Sequence, residues 1–406
     1  MNPADVPGEP LPPPPPFGTG TVAEVLTSAA AALGVDTFSN ALNLPAARRV
    51  CVVMVDGLGL SLLRKYSGHA PFLRQKLDGG QRLSAAFPST TAASLASLGT
   101  GLPPGQHGMV GYDVLDPDQD KVVNMLGRWD AGVDPLRWQP HPTVFERVAE
   151  ELPVLTVSQP RFADSAMTRA ALRGGGFAGG NTVQARIRLA AEHLAGSESM
   201  LLYFYLNDLD KAGHRYGSDS AEWLRRLEDL DFAMRSLVKQ VPPDTLVLLT
   251  ADHGMVDVEP ARRFDYAAQP SLVDGVAHTG GEPRLVHLYC EPGLDEAGRR
   301  ALAARWQEAY GKSAWVLTQD QAVLYGLFGP VAPAVLPRIG DLLIAAREPI
   351  ALFDARRTSE AAREVVGQHG SWTRAEREVP LLTLARSTRS LRPAGRAAQV
   401  AGNHGG

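Results

Sequence analysis

Cysteine is almost missing from this 406-residue chain: there are two, Cys51 and Cys290, and Cys51 lies inside an apolar run. That excludes a disulfide framework and fits a reducing compartment. Charge of one sign is not in excess either. A net charge of −4 with mixed signs leaves no broad basic face, so a nucleic acid polymer is not an expected partner, although a small anionic substrate remains open. No stretch approaches eighteen consecutive apolar residues, so no membrane span is expected. The opening residues, Met1 to Pro7, lack the basic and apolar regions of a secretion signal, and a cytoplasmic location is the expectation.

What is present is an alternation of buried-strand and helix patterns. Residues 1–20, with prolines from Pro12 to Pro16, read as an extended, disordered tail. The run from Thr21 to Glu24 matches a capping box and opens a helix. Arg49 to Gly59 is a continuous apolar run closing on Asp56 and two glycines, the pattern of a strand covered on both faces of a parallel sheet. Runs from Leu152, Ser199 and Thr245 repeat it, the last two ending in Asp210 and in Asp252 and His253. Three strands closing in acids place those acids at the carboxyl edge, where open α/β sheets bind ligands. Residues 262–348 are less regular and read as an inserted cap over a core of 21–261 and 349–386, with residues 387–406 as a loose tail.

Chemistry enters at Phe87 to Gly101. Pro88 stops a strand, and Ser89, Thr90 and Thr91 precede an Ala, Leu and Ser run that reads as a helix, placing a hydroxyl where backbone N–H groups favour an anion. By themselves these hydroxyls could simply cap a helix, and Asp56 could do the same. Asp210 and His214 stand four residues apart, one helical face. With Asp56, Asp252, His253 and His369 they make three carboxylates and three imidazoles, enough for two divalent ions, a pair suited to clamping the oxygens of a displacement at phosphorus.

In this order the residues resemble the type I phosphodiesterase/nucleotide pyrophosphatase family of the alkaline phosphatase superfamily. The matching positions are Asp56-Gly57; Pro88 and Thr91, then Thr100-Gly101 and His107-Gly108; Asp210, Gly213 and His214; Asp252, His253 and Gly254; and His369-Gly370. The resemblance implies an α/β fold, an alkaline-phosphatase-like core whose central, mostly parallel sheet is flanked by helices, with a smaller cap. It implies Thr91 as the nucleophile of a phosphothreonine intermediate, with Asp56, Thr91, Asp252 and His253 around one metal ion and Asp210, His214 and His369 around the other. Zinc and manganese both suit such ligands, as does ferrous iron. His107 is not a ligand in the pattern.

Departures bear on the substrate. The family's phosphate-binding Asn falls here on Tyr112, and the aromatic following the nucleophile on Ala92, whereas Tyr205 matches a base-stacking position. Asn207, Glu282 and Arg284 are further candidates for substrate binding. The overall pattern resembles the actinobacterial cyclic di-AMP phosphodiesterases of that family, so a small nucleotide is the expected partner; the oligomeric state is not readable. A monoesterase, a phosphomutase and a non-catalytic nucleotide-binding protein are the alternatives.

Overall fold

The computed structural model describes residues 10–127, 129 and 132–386. Its centre is the strand β1 (Arg49–Val55), whose residues after Arg49 are all buried. Val50, Val52, Val53 and Val55 suit a pleated surface covered on both sides. The other core strands are β2 (Gln81–Ser84), β5 (Val154–Ser158), β6 (Gly176–Gly179), β7 (Met200–Leu206) and β8 (Thr245–Thr250), between which β3 (Asp113–Asp116) and β4 (Lys121–Asn124) belong to a second sheet. In the seven-stranded core sheet β8, β1, β7, β5 and β6 run parallel in that order, while Glu378–Ala385 enters antiparallel between β8 and β2. The expected α/β core with a mostly parallel sheet is what forms.

The second sheet has six antiparallel strands, Ala314–Thr318, Leu342–Ala346, Leu285–Cys290, Val276–Glu282, β3 and β4 in order. The cap expected over 262–348 therefore also recruits residues 113–124. The join is a pairing of Gly281 with Asp113. Short strands such as Asp113–Asp116 carry too little apolar pattern to announce a partner so far along the chain. In the other direction, Arg263–Asp265 pairs with Ala351–Phe353, and Val256–Asp257 with Gly367–Gln368.

The N-terminal proline run corrects the expectation of disorder over 1–20, at least from residue 10. Leu11 is buried, the indole of Trp372 donates to the Pro13 carbonyl at 2.9 Å, and Tyr325 donates to the Leu11 carbonyl at 3.0 Å. An extended proline segment has few N–H groups to satisfy but presents free carbonyls, which these two donors use. Residues 1–9 and the tail 387–406 lie outside the described residues.

Candidate active site

Register brings the acids to one level. Met54 of β1 pairs with Tyr205 of β7 and Thr250 of β8, so Asp56 and Asp252 each follow that level by two residues on adjacent strands, while Asp210 comes from the helix that follows β7 on the other side of β1. Asp210 and His214 lie on the helix Asp208–Tyr216 that follows β7. Thr91 opens the helix Thr91–Thr100, with Thr90 as its extended N-cap. That helix is buried along its whole length, which its small side chains allow: a Cβ on Gly99 would stand 1.8 Å from the Ala171 carbonyl oxygen. His107 fastens it from behind, its Nε2 3.0 Å from the Ser97 hydroxyl, while Nδ1 accepts from Met109 N at 3.1 Å.

His369 arrives from far along the chain. Ser89 N donates to the Gly370 carbonyl at 3.2 Å, and its hydroxyl to the Ser371 carbonyl at 2.6 Å. This bridge sets His369 beside Thr91, two residues from Ser89. The rings of His369 and His253 stack with centroids 3.6 Å apart.

The hydroxyl of Thr91 is 3.0 Å from His253 Nε2, which in turn is 3.4 Å from Asp56 Oδ1 and 3.5 Å from Asp252 Oδ2. His214 Nε2 is 3.3 Å from Asp210 Oδ1. Each imidazole spends Nδ1 on a backbone carbonyl: His253 on Gly254 at 2.9 Å, His214 on Gly367 at 2.7 Å and His369 on Ser89 at 3.0 Å. A carbonyl only accepts, so Nδ1 carries the proton and the Nε2 lone pair is left for the site. The carboxylates repeat this. Asp56 Oδ1, Asp210 Oδ1 and Asp252 Oδ2 are buried without a hydrogen-bond partner, while Asp252 Oδ1 accepts from the N–H groups of Gly57 and His253.

Ligand atoms of Asp56, Asp252 and His253 lie within 4.8 Å of one another, as do those of Asp210, His253 and His369. Buried oxygens with no donor and imidazoles held as lone-pair donors fit divalent cations. His253 belongs to both groups. His214 falls outside the second group but touches Asp210. Electrostatics agree: burial and the charge of Asp56 push Asp252 well above the usual carboxylate range and Asp210 up to about 6. At His253 burial disfavours the charge, yet Asp252 and Asp56 outweigh it and push the ring up to about 10. A dication reverses that crowding.

Above Thr91 opens a cavity of about 1430 Å³ between core and cap. Of the residues expected to meet substrate, Tyr112, Tyr205, Asn207 and Glu282 line it. Tyr205 has a second attachment, its hydroxyl donating to Asp56 Oδ2, and Asn207 Oδ1 accepts from Gln159 Nε2 at 2.9 Å. Glu282 reaches in from the cap, buried, with Oε1 unpartnered; burial pushes its carboxyl up to about 8. Arg284 corrects its expectation. It does not reach the cavity but is fully buried in a two-pronged pair with Glu376, at 2.9 and 2.8 Å, its remaining donors on the carbonyls of Glu348, Ile350 and Ala346. Residues two apart share a face only within one strand, and here the chain turns at Pro283 and Arg284 after the strand ending at Glu282, which sends Arg284 elsewhere.

Trp129, Phe162, Arg161, Lys211 and Arg357 also line the cavity, with no pattern in the sequence that marks them for it. None is a defining residue of a motif, although Lys211 falls at an open position between Asp210 and His214. The adjacency of Arg161 to β5 and of Lys211 to Asp210, at the edge where ligands bind, was the available signal.

The family model described as type I phosphodiesterase / nucleotide pyrophosphatase matches residues 50–372. A phosphopentomutase of Anaeromyxobacter dehalogenans (strain 2CP-C) is 30% identical over 146 residues, which is 35% of this chain and 35% of that protein. The match therefore spans about a third of the curated relative. Among solved structures, murine ectonucleotide pyrophosphatase / phosphodiesterase 5 superposes with a TM-score of 0.65 at 16% identity, over 82% of this chain and 88% of that one. An inactive variant of it has been solved in complex with AMP. Phosphonoacetate hydrolase from Sinorhizobium meliloti 1021, in complex with phosphonoacetate, gives a TM-score of 0.64 at 18% identity, over 86% of this chain and 93% of that one. At such identities the likeness is one of fold.

Proposed function

Because the chain belongs to the type I phosphodiesterase / nucleotide pyrophosphatase family, we propose that it hydrolyses phosphodiester or pyrophosphate bonds of nucleotides with Thr91 as nucleophile. The observation that carries this reading is the Thr91 hydroxyl at the floor of the cavity, at a helix start and 3.0 Å from His253, amid carboxylate oxygens that have no partner.

Asp56, Thr91, Asp252 and His253 would hold one divalent ion and Asp210, His214 and His369 the other, with His253 standing between the two sets. Zinc and manganese both suit these donors. Such ions supply Lewis-acid charge that eases ionisation of a threonine hydroxyl and offsets negative charge on phosphate oxygens. The chain's own part is orientation. Helix N–H groups behind Thr91 favour the anion, and the three Nδ1 contacts keep the imidazoles turned. Thr91 Oγ1 bonds to phosphorus as the bond to the leaving oxygen breaks, giving phosphothreonine. Water then replaces Oγ1 and releases the phosphate product.

The cavity's volume and its aromatic walls, Trp129, Phe162 and Tyr205, support a nucleotide as large as a cyclic dinucleotide, cyclic di-AMP being the candidate. Both cysteines are unpaired, which supports a cytoplasmic setting. No helix among the described residues is long and apolar enough to cross a membrane.

The phosphopentomutase match favours one second reading, an isomerase that moves phosphate within a sugar. Wild-type and Thr91→Ala protein, assayed on bis-p-nitrophenyl phosphate, p-nitrophenyl phosphate, cyclic di-AMP and a pentose phosphate, separate the two. Diester cleavage lost in Thr91→Ala is expected. Interconversion of pentose phosphates without phosphate release establishes the isomerase, and preference for the monoester overturns the diesterase.

A further inference from the structure

Two cations line the wall of the cavity without a carboxylate in direct contact. Arg161 lies in the turn Pro160–Phe162 that follows β5, and Lys211 on the helix that follows β7. These strands are parallel neighbours, with Thr156 beside Tyr203, so both side chains emerge at the edge that carries Asp56 and Asp210, and both line the cavity above Thr91. Among the described residues neither makes a hydrogen bond or an ion pair. The nearby carboxylate of Asp208 lies 3.5 Å from the buried guanidinium of Arg186.

Arg161 is also held in place. Its guanidinium carbon lies 4.7 Å from the centroid of the Phe162 ring, which packs edge-on to Tyr205 at 5.7 Å. Lys211, one strand over, lines the same wall, with Asp208 the carboxylate nearest to it in sequence besides Asp210. Such a pair, facing a partly enclosed space, favours an anion between them. The phosphate under attack belongs at Thr91 and the acids that follow β1 and β8, whereas Arg161 follows β5, two strands from β1, about 10 Å at the usual strand spacing, which leaves a second anion its own place. Size points the same way: the cavity exceeds the range of roughly 300–1,000 Å³ usual for one small ligand.

We propose that Arg161 and Lys211 bind a second phosphate of the substrate, apart from the one attacked by Thr91, and so select nucleotides with two separated phosphates over diesters with a single one. The proposal rests on the reading of this site as that of a nucleotide diesterase. A dinucleotide and a nucleoside polyphosphate both offer such a group, and the roominess of the cavity favours the dinucleotide.

The test compares wild type with Arg161→Gln, Lys211→Gln and the double variant. Three substrates are used: the p-nitrophenyl ester of thymidine 5′-phosphate, with one phosphate; linear and cyclic diadenylate, with two; and ATP. The expected result is a fall in kcat/KM on the diadenylates at least about tenfold larger than on the p-nitrophenyl ester, roughly the contribution of one partly desolvated charge contact. It should be carried by KM, and raised salt should weaken diadenylates more than the ester. A larger selective loss on ATP assigns the anion to a polyphosphate instead and overturns the dinucleotide preference. Equal losses on all substrates, or none, overturn the second-phosphate site while leaving the diesterase reading intact. If wild type cleaves none of the diesters, that reading fails, and calorimetric binding of AMP and linear diadenylate decides the proposal: a loss in the double variant confined to diadenylate upholds it, and an equal effect on both ends it.

Discussion

The phenol of Tyr205 donates its hydrogen bond to Oδ2 of Asp56, the acid at the end of the neighbouring strand. Burial and the charge of Asp56 hold the phenol well above its ordinary pKa, so it stays a donor. The aromatic expected to meet a nucleobase thus also orients a carboxylate whose other oxygen faces the cavity unpartnered.

Tyr205→Phe keeps the ring and removes that bond. Affinity for the metal ions should fall by about tenfold, the ordinary cost of losing a group that orients a ligand. Metal titration by calorimetry checks this. Tyr205→Ala should in addition raise KM for nucleotides, because the wall beside Phe162 is lost.

Thr91→Ala should lower kcat by at least about a thousandfold while preserving the fold, since the side chain is small and sits at a helix start. Thr91→Ser, which keeps the hydroxyl, should retain measurable turnover. Intact-mass spectrometry of acid-quenched wild type should detect one added phosphoryl group that is missing from Thr91→Ala.

Chelation should abolish activity and lower the melting temperature, because removing cations leaves the orphaned oxygens of Asp56, Asp210 and Asp252 facing each other. Saturating metal at about a hundred times its dissociation constant should restore about 2.7 kcal/mol. Thermal unfolding with stepwise addition of zinc or manganese measures it.

Arg284→Met should destabilise the protein by about 3–5 kcal/mol, because it leaves Glu376 charged and alone in the interior. Glu376 also accepts from Ser371 N at 3.0 Å, so the segment carrying His369 should loosen with it. Urea unfolding checks the stability. A variant of normal stability with a raised KM would return Arg284 to the substrate.

Acid should destabilise the fold through His107 and His287, both fully buried and both pushed by burial from 6.5 down to about 3. A histidine whose folded pKa is depressed contributes stability above its unfolded value and loses it as pH falls from about 6.5 towards about 3. Each should add a slope of about 1.4 kcal/mol per pH unit in that window. Unfolding free energies of wild type and His107→Gln at several pH values should differ in slope accordingly.

Strand interiors and their closing acids were readable from the chain alone. A run such as Val50 to Val55 has one low-energy environment, a sheet covered on both faces, and a helix of small residues after Thr90 declares its start through local chemistry. Asp56 and Asp252 were legible as acids closing strands, whereas the imidazoles stood out only through the order of motifs that the family shares. Partnership across long separations was not. Asp113 joining Gly281, Ser89 bridging to Gly370 and Trp372 holding Pro13 are backbone or single-donor bonds between segments whose own sequences carry no pattern for one another. Only the closed fold decided that Arg284 is spent on Glu376, that Tyr205 serves Asp56, and that Arg161 and Lys211 face the cavity, because direction and pairing of a side chain depend on what else has been brought beside it.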